Sequence, residues 1–80
     1  MRYYMEFEKI LNLYYPHFIA VYGDYSVKVA LDLSIIDGEL PEGQIHEVLN
    51  WAEKNNNFLQ SMWGKLIKRK INQLITKKAV

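Results

Sequence analysis

Two histidines, nine carboxylates and no cysteine limit the chemistry open to this chain. His17 stands in the stretch Tyr14-Tyr15-Pro16-His17-Phe18. An imidazole, with an ordinary pKa of about 6.5, is the natural general acid or base at neutral pH. If the chain around it is a hairpin, Asp32 falls on the same sheet face one diagonal step away, roughly 7–8 Å between positions. A carboxylate there would orient the ring for proton transfer, as a weak ribonuclease-like activity through His17 and Asp32 would need. The plainer alternative is a surface His–Asp pair without chemistry, because no nucleophile, phosphate loop or oxyanion device accompanies it. His46 falls on the polar side of a helix beside Asn50 and Glu53 and is expected to be solvated.

Without cysteine the chain has neither a disulfide scaffold nor a thiolate metal site. A structural zinc would need carboxylates to complete two imidazoles, which is rare. No metal and no cofactor is therefore expected. Tyr14, Tyr15, Tyr22 and Tyr25 would stack nucleobases if a basic groove lay beside them. Little positive charge is near them in the sequence, and the alternative is that they fill the rim of a small core.

The charge is more informative. The net charge of +1 hides a split. Residues 1–64 hold four cations against nine acids, a balance of −5, whereas residues 65–80 hold six cations and no acid. The basic segment has Lys65, Lys68, Arg69 and Lys77 on one side of a helix and Leu66, Ile67, Ile71, Leu74 and Ile75 on the other. Such a helix contacts phosphates, an anionic membrane surface or a partner's groove. Its apolar half favours a protein partner, because phosphate binding does not require it. The alternatives are a solvated end of a core helix, and pairing of basic segment with acidic body between copies of the chain.

The elements that position these residues follow from pattern and punctuation. Eighty residues make one domain, read as an acidic body (1–64) and a basic helical tail (65–80). No run of about 18 apolar residues provides a membrane span. The start of the chain lacks the unbroken apolar stretch of a signal peptide, so the expected location is the cytoplasm. Residues 3–14 fit helical and alternating patterns about equally well. Gly23-Asp24 is a two-residue hairpin signal, with glycine taking the positive φ. It predicts the pairs Tyr22–Tyr25, Ala20–Val27 and Phe18–Val29. The apolar alternation Tyr25, Val27, Val29, Leu31, Leu33 faces the core.

That register sends His17, Ile19 and Val21 to the opposite face, beside Lys28 and Ala30. There Ile19 and Val21 are either an exposed apolar surface for a partner or are covered by a second layer. Ser34 opens a turn into a short third strand that stops at Pro41. A helix follows, with Ile45, Val48, Leu49 and Ala52 on one face and Pro41 suited to its first turn. Asn57 is the expected N-cap of a second helix, with Gln60 as its capping partner. The stripe from Phe58, Leu59, Met62 and Trp63 onward faces the core, and Gly64 is expected to mark a bend. The predicted fold is α+β: three to four antiparallel strands, then two helices packed on one face.

Taken in order, Pro16-His17-Phe18, Tyr22-Gly23-Asp24-Tyr25, Gly38-Glu39-Leu40-Pro41, Leu49-Asn50-Trp51-Ala52-Glu53 and Phe58-Leu59-Gln60-Ser61-Met62-Trp63 resemble a small prokaryotic family of domains of unknown function, family 4160. The resemblance covers roughly residues 10–66. It implies a compact α+β domain, often encoded beside another small gene in the manner of toxin–antitoxin pairs. Family members carry paired prolines, a polar, histidine-rich lead-in and a second histidine after the phenylalanine. Here the lead-in is Asn12-Leu13-Tyr14-Tyr15, one proline is missing and the second position is Ile19, so only His17 remains of that cluster. The residues favour a non-enzymatic protein-interaction module, and the resemblance implies that it belongs to a toxin–antitoxin-like or mobile-element system. Read from the outer strand face and from the basic tail, which extends past the resemblance, its contact residues would be Ile19, Val21, Lys65, Lys68, Arg69, Ile71, Leu74, Ile75 and Lys77, with a protein partner, a second copy or nucleic acid as binding partners.

Overall fold

The computed structural model describes residues 1–10 and 13–79, with side chains described as far as Ile71. Four strands, β1 (Arg2–Tyr4), β2 (His17–Tyr22), β3 (Tyr25–Ala30) and β4 (Ile35–Glu39), precede two helices, α1 (Glu42–Lys54) and α2 (Asn56–Ala79). The strands form one antiparallel meander in the order β1-β2-β3-β4. The fold is therefore α+β, a four-stranded sheet followed by two helices.

The hairpin of β2 and β3 pairs as the two-residue turn requires: Tyr22 with Tyr25, Ala20 with Val27 and Phe18 with Val29. Gly23 takes φ +58°, the left-handed first position of a type II′ reversal, which glycine enters without steric cost. Residues 3–14 are neither one helix nor one long strand. Arg2–Tyr4 add an edge strand to β2; the described residues from there to Pro16 (5–10 and 13–16) add no helix or named strand, and among them Ile10 and Leu13 form a bridge.

β3 ends earlier than its alternation predicts. Leu31, Asp32 and Leu33 leave the strand for a tight turn, in which Leu33 N–H donates to the Ala30 carbonyl and Ala30 N–H to the Ser34 carbonyl. Leu33 holds φ +74° there, a conformation that costs a non-glycine residue about 1–2 kcal/mol. β4 then pairs with β3 with a shift between Lys28 and Val29 that leaves Ile36 unpaired, a bulge that bends the edge strand.

The core lies between one sheet face and the helices. Phe18, Ala20, Val27 and Val29 meet Leu40, then Val48 and Ala52 of α1 and Leu59 of α2, all buried. Tyr3, opposite Ala20 on β1, stacks flat on Trp51 with ring centroids 3.8 Å apart. Ile45, Val48, Leu49 and Ala52 form the inward stripe of α1, at the helical spacing. Pro41 precedes this helix as its N-cap residue rather than lying in its first turn.

α2 begins at Asn56, two residues before the start that an Asn57 cap implies, so Asn57 does not cap it. Asn56 instead donates from Nδ2 to the Leu31 carbonyl (2.9 Å) and accepts from Gln60 Nε2 (2.6 Å), tying the helix start to the β3–β4 turn. The apolar stripe of α2 is too wide for one contact. Leu59 and Trp63 are buried, whereas Phe58, Met62 and Ile71 are exposed. The helix runs without interruption through Gly64.

Candidate functional site

His17 does not lie at the surface. It is fully buried, 0% exposed, and both ring nitrogens are engaged. Nδ1 lies 2.6 Å from the Tyr15 carbonyl oxygen, and Nε2 lies 3.0 Å from Glu8 Oε1. A carbonyl can only accept, so Nδ1 carries a proton. Nε2, on the other side of the ring, faces the Glu8 carboxylate. Lys28 Nζ reaches the same carboxylate oxygen at 3.1 Å. The His17 hydrogen bond does most to hold the Glu8 carboxyl below the ordinary glutamate range; burial opposes it, and contact with Lys28 lowers it further. The Trp63 ring closes over the imidazole at 5.6 Å and also meets Phe7, which stacks on Tyr14.

The irregular segment after β1 therefore folds over the second sheet face, and Glu8 fastens it there. Of the two arrangements expected for Ile19 and Val21, the covered one is found, which removes Ile19 from the expected contact surface. Ile19 is only 3% exposed and Val21 is half-buried, so Ile19 offers no surface to a partner. The expected His17–Asp32 pairing does not form either. Asp32 lies in the turn after β3, where Oδ1 accepts from Ser34 N–H (3.0 Å). That bond holds its carboxyl below the ordinary aspartate value. The carboxylate that meets His17 is Glu8, nine residues earlier. No periodic pattern in the sequence points to it.

The accessible features lie elsewhere. An apolar groove of about 450 Å³ runs between β1 and α2. Tyr4 and Met5 line one wall and Phe58, Met62 and Leu66 the other, with Lys65 and Arg69 at the rim. Phe58 is 57% and Met62 40% exposed. Of the contact residues expected from the sequence, Lys65, Lys68, Arg69 and Ile71 are exposed on α2. The side chains of Leu74, Ile75 and Lys77 lie outside the described residues. His46 is exposed, as its place on the polar side of α1 predicts. Tyr4, Phe58 and Met62 were not distinguished by the stripe pattern, although Phe58, Met62, Lys65, Leu66 and Arg69 are spaced to share one helical face.

Among the described residues no helix is long and apolar enough to cross a membrane, and no group of three or more histidines and carboxylates is placed to hold a metal ion. Comparison with curated proteins and with solved structures finds no match. The family model of a domain of unknown function matches residues 1–64, which include all four strands, α1 and the first turns of α2. On that match, over most of its length, the chain belongs to the family described as domain of unknown function DUF4160.

Proposed function

We propose that this domain is a small non-enzymatic protein-interaction module, acting in the cytoplasm as one component of a toxin–antitoxin-like or mobile-element pair. The observation that carries this reading is the open groove between β1 and α2, where Phe58 and Met62 stay in water beside Lys65 and Arg69. Large apolar side chains left exposed together and rimmed by polar groups mark a contact surface. A ribonuclease-like reaction has less support, because the imidazole is sealed between Glu8, Tyr15 and Trp63 and Asp32 serves its own turn. The test is affinity capture of the tagged full-length chain from its native host, quantified by mass spectrometry against an unrelated bait. A protein recovered in near-equal amount is expected, and its absence sinks the reading.

A second reading has its own support. Lys65, Lys68 and Arg69 are exposed on one helix that continues into a cation-rich end. Phosphate contacts through them would make nucleic-acid affinity fall steeply with salt, by about one logarithmic unit per contact for each tenfold rise. Charge reversal at Lys68 and Arg69 should then flatten that slope by about two units. A flat salt response in the unaltered chain removes this reading.

A further inference from the structure

The β1–α2 groove has a chemistry that selects among partners. Phe58, Met62, Lys65 and Arg69 follow one another at helical intervals, so α2 presents a strip about 16 Å long. One end of that strip is apolar and the other cationic. Trp51 lines the groove from α1, and β1 bounds it as an edge strand paired only to β2. Among the described residues no carboxylate lines it. Both ion pairs among the described residues go to Glu8, so Lys65 and Arg69 have no acidic partner there.

Three kinds of occupant differ in what they require of such a strip. A nucleic-acid strand would use the cations and stack a base on Phe58, but it offers no apolar side chain to Met62 and Leu66. A second copy docking groove to groove would, with the two-fold axis along the strip, set Lys65 and Arg69 of both chains against each other, and, with the axis across it, set them against the apolar end of the partner; neither arrangement supplies a carboxylate to these cations. A peptide segment with apolar anchors and flanking carboxylates satisfies both ends. Apolar side chains at three- and four-residue intervals would enter beside Phe58 and Met62. Its carboxylates would meet Lys65 and Arg69, with arginine offering the paired geometry that carboxylates fit.

We propose that this groove binds an acidic amphipathic segment of a partner protein. This rests on the interaction-module reading and specifies its partner. The acidic body of the domain repels such a segment, and the cationic strip attracts it, so the charge split becomes an orientation signal for docking.

The experiment uses the full-length chain as bait for a display library of random peptides about 16 residues long, enough for roughly four helical turns. Selected peptides should carry more Asp and Glu than Lys and Arg, with apolar residues three or four apart. Their affinity should drop about tenfold or more on Phe58→Ala and on the double change Lys65→Glu, Arg69→Glu. All three positions are exposed, and circular dichroism checks that each variant stays folded. In the unaltered chain, amide NMR signals of Tyr4 and of 58–69 should move on titration with a selected peptide, a mapping that needs no variant. Selection of basic or uncharged peptides, no enrichment at all, or signals that move elsewhere would overturn the proposal. So would a dimer in sedimentation equilibrium that the charge reversal dissociates, which assigns the groove to a second copy. Failure of the broader reading gives a different result: no protein captured from the host, whatever the peptides do.

Discussion

At the scale of single residues, two glycines with positive φ separate steric from conformational cost. At Gly23 (φ +58°) an added Cβ meets nothing within 4 Å, so only the left-handed backbone matters. At Gly38 (φ +82°) an added Cβ runs into the Ser26 carbonyl oxygen and lies 3.1 Å from Val27 Cα, both backbone atoms that cannot step aside. Gly23→Ala should cost about 1–2 kcal/mol, and Gly38→Ala about 2–4 kcal/mol, measured by urea unfolding. Equal costs would mean that the close approach of β3 and β4 relaxes easily. Glu8 supports a second prediction. Glu8→Ala leaves the buried imidazole nitrogen without its partner, at about 1–3 kcal/mol near neutral pH. The folded-state pKa of Glu8 lies below the ordinary value of 4.5. Its contribution is therefore complete above pH 4.5 and fades as pH falls through the depressed value. The stability gap between wild type and Glu8→Ala should narrow as the pH is lowered from 4.5 toward 3 in a series of urea titrations. A gap that stays constant would show that the charge on Glu8 contributes nothing.

At the scale of elements, α2 has two tasks. Its first turns complete the core through Leu59 and Trp63 and hold the β3–β4 turn through Asn56. The same stretch leaves Phe58 and Met62 open. Gly64 sits exposed inside this helix, where an added Cβ meets nothing within 4 Å. Gly64→Ala should raise stability by about 0.5–1 kcal/mol, because alanine restricts the unfolded chain and fits the helix. A loss of stability in thermal unfolding would reveal a bend that needs glycine. The irregular segment between β1 and β2 is the other working element. Its described residues cover the second sheet face, where Glu8 and Phe7 hold them against His17, Lys28 and Trp63. The residues carrying the family resemblance have packing tasks in these elements. Phe18 and Ala52 are core, Trp51 stacks on Tyr3, Gly38 permits the close approach of β3, and Leu40 closes the end of the sheet.

At the scale of the whole molecule, sheet and helices share one core to which β2, β3, α1 and α2 all contribute. Unfolding should therefore be a single cooperative event. Tryptophan fluorescence, from Trp51 on α1 and Trp63 on α2, should follow the same urea curve as far-UV circular dichroism. Separate midpoints would divide the sheet from the helical layer. What the chain's own order of residues determined was everything that depends on near neighbours. Gly23-Asp24 and the alternation around it set the hairpin register to the residue, because a two-residue reversal leaves no freedom in the pairing. The spacing of Ile45, Val48, Leu49 and Ala52 set the buried face of α1, and the acidic-then-basic division is plain in the residue counts. Tertiary structure alone decided where His17 ends up, since its partner Glu8 comes from a non-periodic stretch whose path over the sheet depends on packing. It also decided that Ile19 is covered and Asp32 turned away. On α2 it chose Leu59 and Trp63 for the interior and left Phe58 and Met62 outside. A helix with apolar residues on more than one side can be laid down in several rotations, and only the shape of the sheet and α1 selects one.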